Sequence, residues 1–182
     1  MLEALILFIA VLPLSNAIPL SAQVFLLIAA IALILPGVYA MKTGAPFVPT
    51  RERILRRMMD QAKIQPGQRV YDLGCGDGRF VFAAAAQGAE AVGFELSFPT
   101  WLVAKVRSLI HPGSSIRYGD FWKQDYRDAD VVFCYLLTST MQTFKDIIWP
   151  QLRPGCRVVS HAFMMKGVEP VKRDIDVVVY VK

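Results

Sequence analysis

The chain has 182 residues, enough for one ordinary domain and a short remainder, so a second full globular domain is excluded. Hydrophobic residues make up 54% and charged residues 19%; both depart from the usual ~45–50% and ~25% in the direction that argues against disorder and against a nucleic-acid-binding arm. The net charge of +5 is modest, and three cysteines without a C-x-x-C pair make neither a disulfide framework nor a zinc site.

The apolar excess is concentrated at the start. No charged residue occurs from Ala4 to Met41, while all 20 basic residues and 14 of the 15 acids lie from Lys42 onward, a net +6 there. Residues 18–40 supply 23 uncharged positions, with an unbroken apolar run over 24–35; a spanning helix needs roughly 20. Pro19 stands where a helix can start, and Pro36-Gly37 where one would kink or stop. Residues 4–12 form a second, shorter apolar run, and Leu14-Ser15-Asn16-Ala17 reads as a loop between the two. One span with a short interfacial piece and a tight helical hairpin both fit. A cleaved signal peptide fits less well, because Glu3 is present and no Lys or Arg precedes the run. Lys42, Arg51, Arg53, Arg56 and Arg57 follow within about 20 residues of the apolar end, which predicts a membrane location with the rest of the chain on the cytoplasmic side. The expected organisation is therefore a membrane anchor over 1–41, a linker and amphipathic helix over 42–66, and a globular domain over 67–182.

In that remainder, residues 51–63 have helical periodicity. Ile54, Leu55, Met58, Met59 and Ala62 share one face and the arginines largely the other. The basic face suits either solvent or anionic lipid headgroups. After the Pro66-Gly67 turn, strands are expected at 69–73, 91–94, 115–118, 130–135 and 157–162, with closing strands at 171–175 and 177–181. Helices are expected at 79–87, 101–110 and 141–152. The alternation predicts an α/β domain with a mostly parallel sheet.

The most informative stretch is Val70-Tyr71-Asp72-Leu73-Gly74-Cys75-Gly76-Asp77-Gly78-Arg79. It reads as a strand, a glycine-rich turn and a helix, a place where a ligand approaches the main chain closely. The next strand ends at Glu95, 21 residues after Gly74, a spacing that sets a carboxylate beside the loop for a pair of ribose hydroxyls. A nicotinamide loop would read G-x-G-x-x-G; here the third glycine comes one residue early, and no Lys-Ser/Thr of a phosphate loop follows. A nucleoside with an amino-acid tail fits better than a pyrophosphate.

Asp72-Leu73-Gly74-Cys75-Gly76-Asp77-Gly78-Arg79 with its downstream acid resembles the seven-strand S-adenosylmethionine-dependent methyltransferases, which implies a Rossmann-like sheet and that cofactor. Pro46-Phe47-Val48-Pro49-Thr50, Gly93-Phe94-Glu95-Leu96 and Gly119-Asp120-Phe121-Trp122-Lys123 are similar to one subgroup: the membrane-anchored protein-lysine methyltransferases of adenine nucleotide translocase and ATP synthase c subunit, with their prokaryotic relatives. The resemblance covers roughly residues 46–165. It implies that Asp72, Gly74, Cys75 and Gly76 form the loop holding the methionine end of the cofactor. Glu95 takes the ribose hydroxyls, Leu96 packs on the adenine, Asp120 accepts the adenine amino group, and Phe121 stands beside the ring. Tyr135, at the end of the fourth strand, is the candidate catalytic residue facing the transferred methyl. After the fifth strand the chain reads Ser160-His161-Ala162-Phe163-Met164-Met165, where the family pattern is aromatic and proline-rich.

Nothing near Cys75 looks like a His–Cys catalytic pair, and His111 and His161 are isolated in sequence, so no metal is expected. The resemblance implies a membrane-anchored protein-lysine methyltransferase acting on a protein substrate, membrane proteins among the candidates. The alternatives are a lipid or small-molecule methyltransferase and a membrane-tethered module that binds the cofactor without transfer. A nucleic-acid acceptor is disfavoured by the modest charge and by the lack of an Asn/Asp-Pro-Pro-aromatic motif after the fourth strand.

Overall fold

A computed structural model describes residues 18–43 and 50–182, with the side chains of Ala32, Leu33, Pro36, Gly37 and 39–43 outside the description. The second apolar run at 4–12, the loop at 14–17 and the Pro46–Pro49 part of the family motif also lie outside it. The chain divides into two compact units between Leu35 and Pro36.

Helix α1 (Leu20–Thr43) starts directly after Pro19, whose carbonyl accepts from the N–H groups of Ala22 and Gln23. It continues through Pro36-Gly37, where a kink or stop was expected. Among the described residues, no helix is long and apolar enough to cross a membrane, so the predicted spanning helix is not supported. Leu20, Phe25 and Ile28 are exposed.

The second unit is an α/β sandwich around a seven-strand sheet. Helix α2 (Glu52–Ala62) is one residue shorter at each end than its periodicity suggested. Lys63 turns left-handed at its end, and Ile54, Met58, Met59 and Ala62 are buried. There follow β1 (Arg69–Leu73), α3 (Arg79–Ala86), β2 (Glu90–Glu95), α4 (Phe98–Ser108), β3 (Ser114–Tyr118), β4 (Val131–Cys134), α5 (Thr138–Ile147), β5 (Arg157–His161), β6 (Lys172–Arg173) and β7 (Val177–Val181). Helix α4 begins three residues early because Ser97 leads into it and Pro99 suits the first turn. Helix α5 ends early: Pro150 cannot continue it, and Trp149–Gln151 forms a separate 3₁₀ turn.

The strand order is β3-β2-β1-β4-β5-β7-β6. Strands β1 to β5 pair in parallel, and β7 is antiparallel to both neighbours. Both faces are buried, so the strands read as apolar runs, and alternate residues serve opposite cores. Val131, Phe133, Val177 and Val179 pack with α2 and α3 on one face; Val132, Cys134, Val178 and Tyr180 pack with Met141 and Phe144 of α5 on the other. The crossover between β3 and β4 carries only the 3₁₀ turn Phe121–Lys123. Tyr126 takes the place of a covering helix there. It is fully buried, donates its hydroxyl to the Phe121 carbonyl at 2.6 Å, and meets Tyr71 and Phe94 edge-on.

The chain leaves β1 toward β2 on one side, and β4 lies on the other. This is the switch point where open α/β sheets bind ligands, at the carboxyl ends of the strands. Gly93 of β2 lets the loop after β1 close down on the sheet. A Cβ there would stand 2.6 Å from the Cys75 Cβ and 2.7 Å from the Val81 Cγ2. Gly93→Ala is therefore expected to cost about 3 kcal/mol by overpacking, read as a fall in the thermal midpoint of roughly 6 °C or more. An unchanged midpoint would show that the loop is not held by this contact.

Candidate active site

One register row crosses the carboxyl edge of the sheet. Glu95 pairs with Tyr118, Leu73 pairs with Phe94 and Cys134, Cys134 with Ser160, and His161 with Val177. One step beyond Leu73, the row runs Glu95, Gly74, Tyr135, His161. Sequence reading found three of these four.

The loop after β1 turns through Gly74, Gly76 and Gly78, all at positive φ. At Gly74 (φ 76°) nothing stands within 4 Å of a built Cβ, so the main chain is open to a ligand there. Cys75 donates its N–H to the Phe94 carbonyl at 2.9 Å and turns its thiol into the core. Burial pushes that thiol up, with Asp72 and Glu95 adding to it, so Cys75 presents only its backbone to the loop.

Glu95 is 8% exposed and clamps the loop. Its Oε2 accepts from Gly76 N at 3.0 Å, and its Oε1 from Leu96 N at 2.9 Å and Ser97 N at 2.8 Å. Burial raises its pKa, and the three backbone donors pull the other way. A carboxylate has about four acceptor sites, so one remains after these three bonds.

Asp72 is the electrostatic anomaly. It is buried and its Oδ2 has no hydrogen-bond partner. Burial, then the charges of Glu95 and Asp77, raise its pKa to about 8. A buried acid left without a partner is costly, and a cation placed beside it would relieve that cost.

Asp77 was not singled out by sequence reading. It accepts from Arg79 Nη2 at 2.8 Å and from Arg107 Nη1 at 2.9 Å, and these guanidinium groups hold its pKa below the usual range. Arg79 also donates to the Thr50 carbonyl. The loop is thus tied to the start of α2 and to α4. The Asp77-x-Arg79 spacing was visible; Arg107, 30 residues away, was not.

Asp120 is half-buried and accepts from Trp122 N at 3.0 Å, capping the turn that carries Phe121, whose ring lies 4.5 Å from that of Trp122. Tyr135 is half-buried, with its ring 4.3 Å from His161 and stacked on Phe163 at 6.3 Å. The His161 Nδ1 lies 2.7 Å from the Asp176 carbonyl; a carbonyl only accepts, so Nδ1 is the donor of that bond. His161 and Phe163 escaped sequence reading because strand pairing sets the first beside Tyr135 and the left-handed turn at Ala162 brings up the second. Among the described residues no cluster of His, Cys, Asp and Glu is arranged to hold a metal. A crevice of about 610 Å³, lined by Tyr71, Phe94, Arg117, Gln124, Asp125, Arg127 and Asp128, contains none of the candidate residues.

This strand order, with a glycine loop after β1 and a buried acid ending β2, defines a seven-strand S-adenosylmethionine-dependent methyltransferase. Residues 72–172 match the family described as the ANTKMT methyltransferase domain. The chain belongs to that family. A protein-lysine N-methyltransferase of Saccharolobus islandicus (strain REY15A) is 38% identical over 130 residues, which are 69% of this chain and 81% of that protein. The adenine nucleotide translocase lysine N-methyltransferase of Mus musculus is 34% identical over 139 residues, 72% of this chain; the match spans 58% of the mouse protein's length. Among solved structures, an RNA methyltransferase from Salinibacter ruber in complex with S-adenosyl-L-homocysteine superposes with a TM-score of 0.70 at 34% identity, covering 74% of this chain and 93% of that one.

The cofactor is S-adenosylmethionine. The residues present fit it. The unpartnered Asp72 carboxyl suits its ammonium, the open main chain at Gly74 admits its methionine end, and the spare acceptor site of Glu95 suits a hydroxyl.

Proposed function

We propose that this chain methylates a lysine side chain of a protein substrate at a membrane. The observation that carries the acceptor class is the 38% identity to a protein-lysine N-methyltransferase over 81% of that protein's length.

When bound, the cofactor supplies an electrophilic methyl group. The protein's task is to align the acceptor with it and to exclude water. Asp72 holds the ammonium, and Gly74 and Gly76 give their main chain to the methionine end. Glu95 takes a ribose hydroxyl, Leu96 packs on the adenine, and Asp120 with Phe121 receives the far edge of that ring. Tyr135 faces the acceptor, and His161 and Phe163 extend its wall. A lysine amine costs roughly 5 kcal/mol to deprotonate at pH 7. The Tyr135–His161–Phe163 surface lowers that cost by desolvating the charged form.

Membrane association through the N-terminal segment is supported by the uncharged stretch from Ala4 to Met41 and by the exposed Leu20, Phe25 and Ile28 of α1. The arginines after it favour the cytoplasmic side. A second reading, an RNA acceptor, is favoured by the likeness to the RNA methyltransferase of Salinibacter ruber.

The test is transfer of labelled methyl from S-adenosylmethionine by the detergent-solubilised protein to membranes of a strain lacking it, followed by separation of protein, RNA and lipid. Label recovered as methyl-lysine from a protein band is expected. Label in RNA would establish the second reading, and label in lipid would replace both. No transfer, with cofactor binding intact, would leave a binding module.

A further inference from the structure

Helix α4 packs on the sheet through Ala104 and the partly buried Trp101, whose ring meets Tyr118 of β3 at 5.6 Å. Ala104 is its one buried residue. Phe98, Leu102, Val103 and Val106 are exposed on it, and Leu109 and Ile110 just beyond are 78% and 79% exposed. At 100° per residue these six side chains fall within an arc of about 140°, opposite Trp101, Ala104 and Ser108. Lys105 stands at one border of that arc and Arg107 at the other. From Ser97 to Gly119 the chain carries Lys105, Arg107 and Arg117 and no carboxylate at all. Scattered exposed apolar residues need no explanation, but a contiguous patch of this kind on one helix does.

We propose that α4 lays this face into the headgroup region of an anionic bilayer. An apolar arc bordered by cations, without acids, is the pattern of helices that lie in a membrane interface. Charge decides between a bilayer and the chain's own apolar run at 4–12. That run has no charge, and would leave Lys105 unanswered, whereas lipid phosphates answer it. Arg107 is partly engaged by Asp77, so the contact also bears on the glycine loop. Helix α4 begins three residues after Glu95, which brings the bilayer to the edge of the sheet that carries the active site. The proposal rests on the membrane association proposed above in taking lipid as the occupant. It adds a second, catalytic-domain contact that the N-terminal segment does not require.

The three native cysteines are all buried, so one added surface cysteine can be labelled selectively in the full chain. An environment-sensitive fluorophore is placed on Leu109→Cys, and on Ile175→Cys, 88% exposed, as the control position. The protein is mixed with vesicles of phosphatidylcholine alone or with phosphatidylglycerol, each containing a lipid-borne quencher, and flotation reads whether the chain is bound. The expected result is at least about twofold quenching at position 109 on anionic vesicles, with none at 175. Val106→Glu, at an exposed position, should abolish that quenching without shifting the thermal midpoint. Flotation with no quenching at 109 overturns the proposal and leaves N-terminal anchoring standing. Flotation with quenching at 109 that persists when Phe25→Glu and Ile28→Glu are introduced on α1 would keep the proposal and overturn N-terminal anchoring. A fluorescence change at 109 in detergent, with cross-linked dimers, would assign the face to a second copy and overturn the lipid assignment.

Discussion

Replacing Glu95 with alanine should raise the dissociation constant for S-adenosylmethionine by about 100-fold or more, read by titration calorimetry. Two losses add. A hydrogen bond from a hydroxyl to a charged acceptor contributes about 1.5–3 kcal/mol, and each 1.4 kcal/mol is tenfold. The same side chain also organises the loop, since it accepts from Gly76, Leu96 and Ser97. Without it the buried Gly76 N–H is left unpaired, at about 1–3 kcal/mol. The thermal midpoint should therefore fall by several degrees in the absence of cofactor. Unchanged affinity would mean that the ribose is not placed at Glu95. Unchanged stability with lost affinity would mean that the backbone bonds to its carboxylate are not holding the loop.

The second large effect is a pH dependence carried by Asp72. Burial raises its pKa from 3.8 to about 8, with Glu95 and Asp77 adding to the shift. In this direction the folded protein holds a proton that the unfolded chain releases. The contribution to stability is complete below about pH 4 and is lost as pH rises toward 8, at up to roughly 1.4 kcal/mol per unit. Binding of a cationic amine favours the ionised carboxylate. Cofactor binding at pH 7 should then release a proton, seen as a dependence of the calorimetric heat on buffer ionisation enthalpy. Affinity should strengthen from pH 6 to 7.5 by up to about tenfold per unit. Asp72→Asn should abolish the proton release, flatten the stability profile of the cofactor-free protein between pH 4 and 8, and weaken binding. Proton uptake, or a pH-independent affinity in the unaltered protein, would remove Asp72 from the ammonium site.

Much of this could be read from the chain alone because it is written in local pattern. The Asp72–Arg79 stretch declares its own turn: three glycines at alternate positions are needed where the backbone goes left-handed. The apolar strands flanked by Pro66-Gly67, Pro112-Gly113 and Pro154-Gly155 mark a buried parallel sheet, and the spacing from Gly74 to Glu95 sets a carboxylate at the neighbouring strand end. Where local pattern misled, tertiary or covalent constraints prevailed. Pro150 cut α5 short, and Ser97 with Pro99 moved the start of α4. The uncharged N-terminal stretch suggested a spanning helix, yet no described helix is both long and apolar enough to be one.

Sequence by itself determined the fold class, the glycine loop and the acid beside it, because each is a matter of backbone freedom, periodicity and short spacing. Tertiary structure alone decided the rest. Strand pairing set His161 against Tyr135, the left-handed turn at Ala162 brought Phe163 up beside it, and close packing at Gly93 turned the Cys75 thiol inward. Burial without a partner made Asp72 a group poised near neutral pH. Packing of α4 through Trp101 and Ala104 left its opposite apolar face exposed. Each of these depends on which distant residues share a surface, and on how much water reaches it, which no one-dimensional pattern carries.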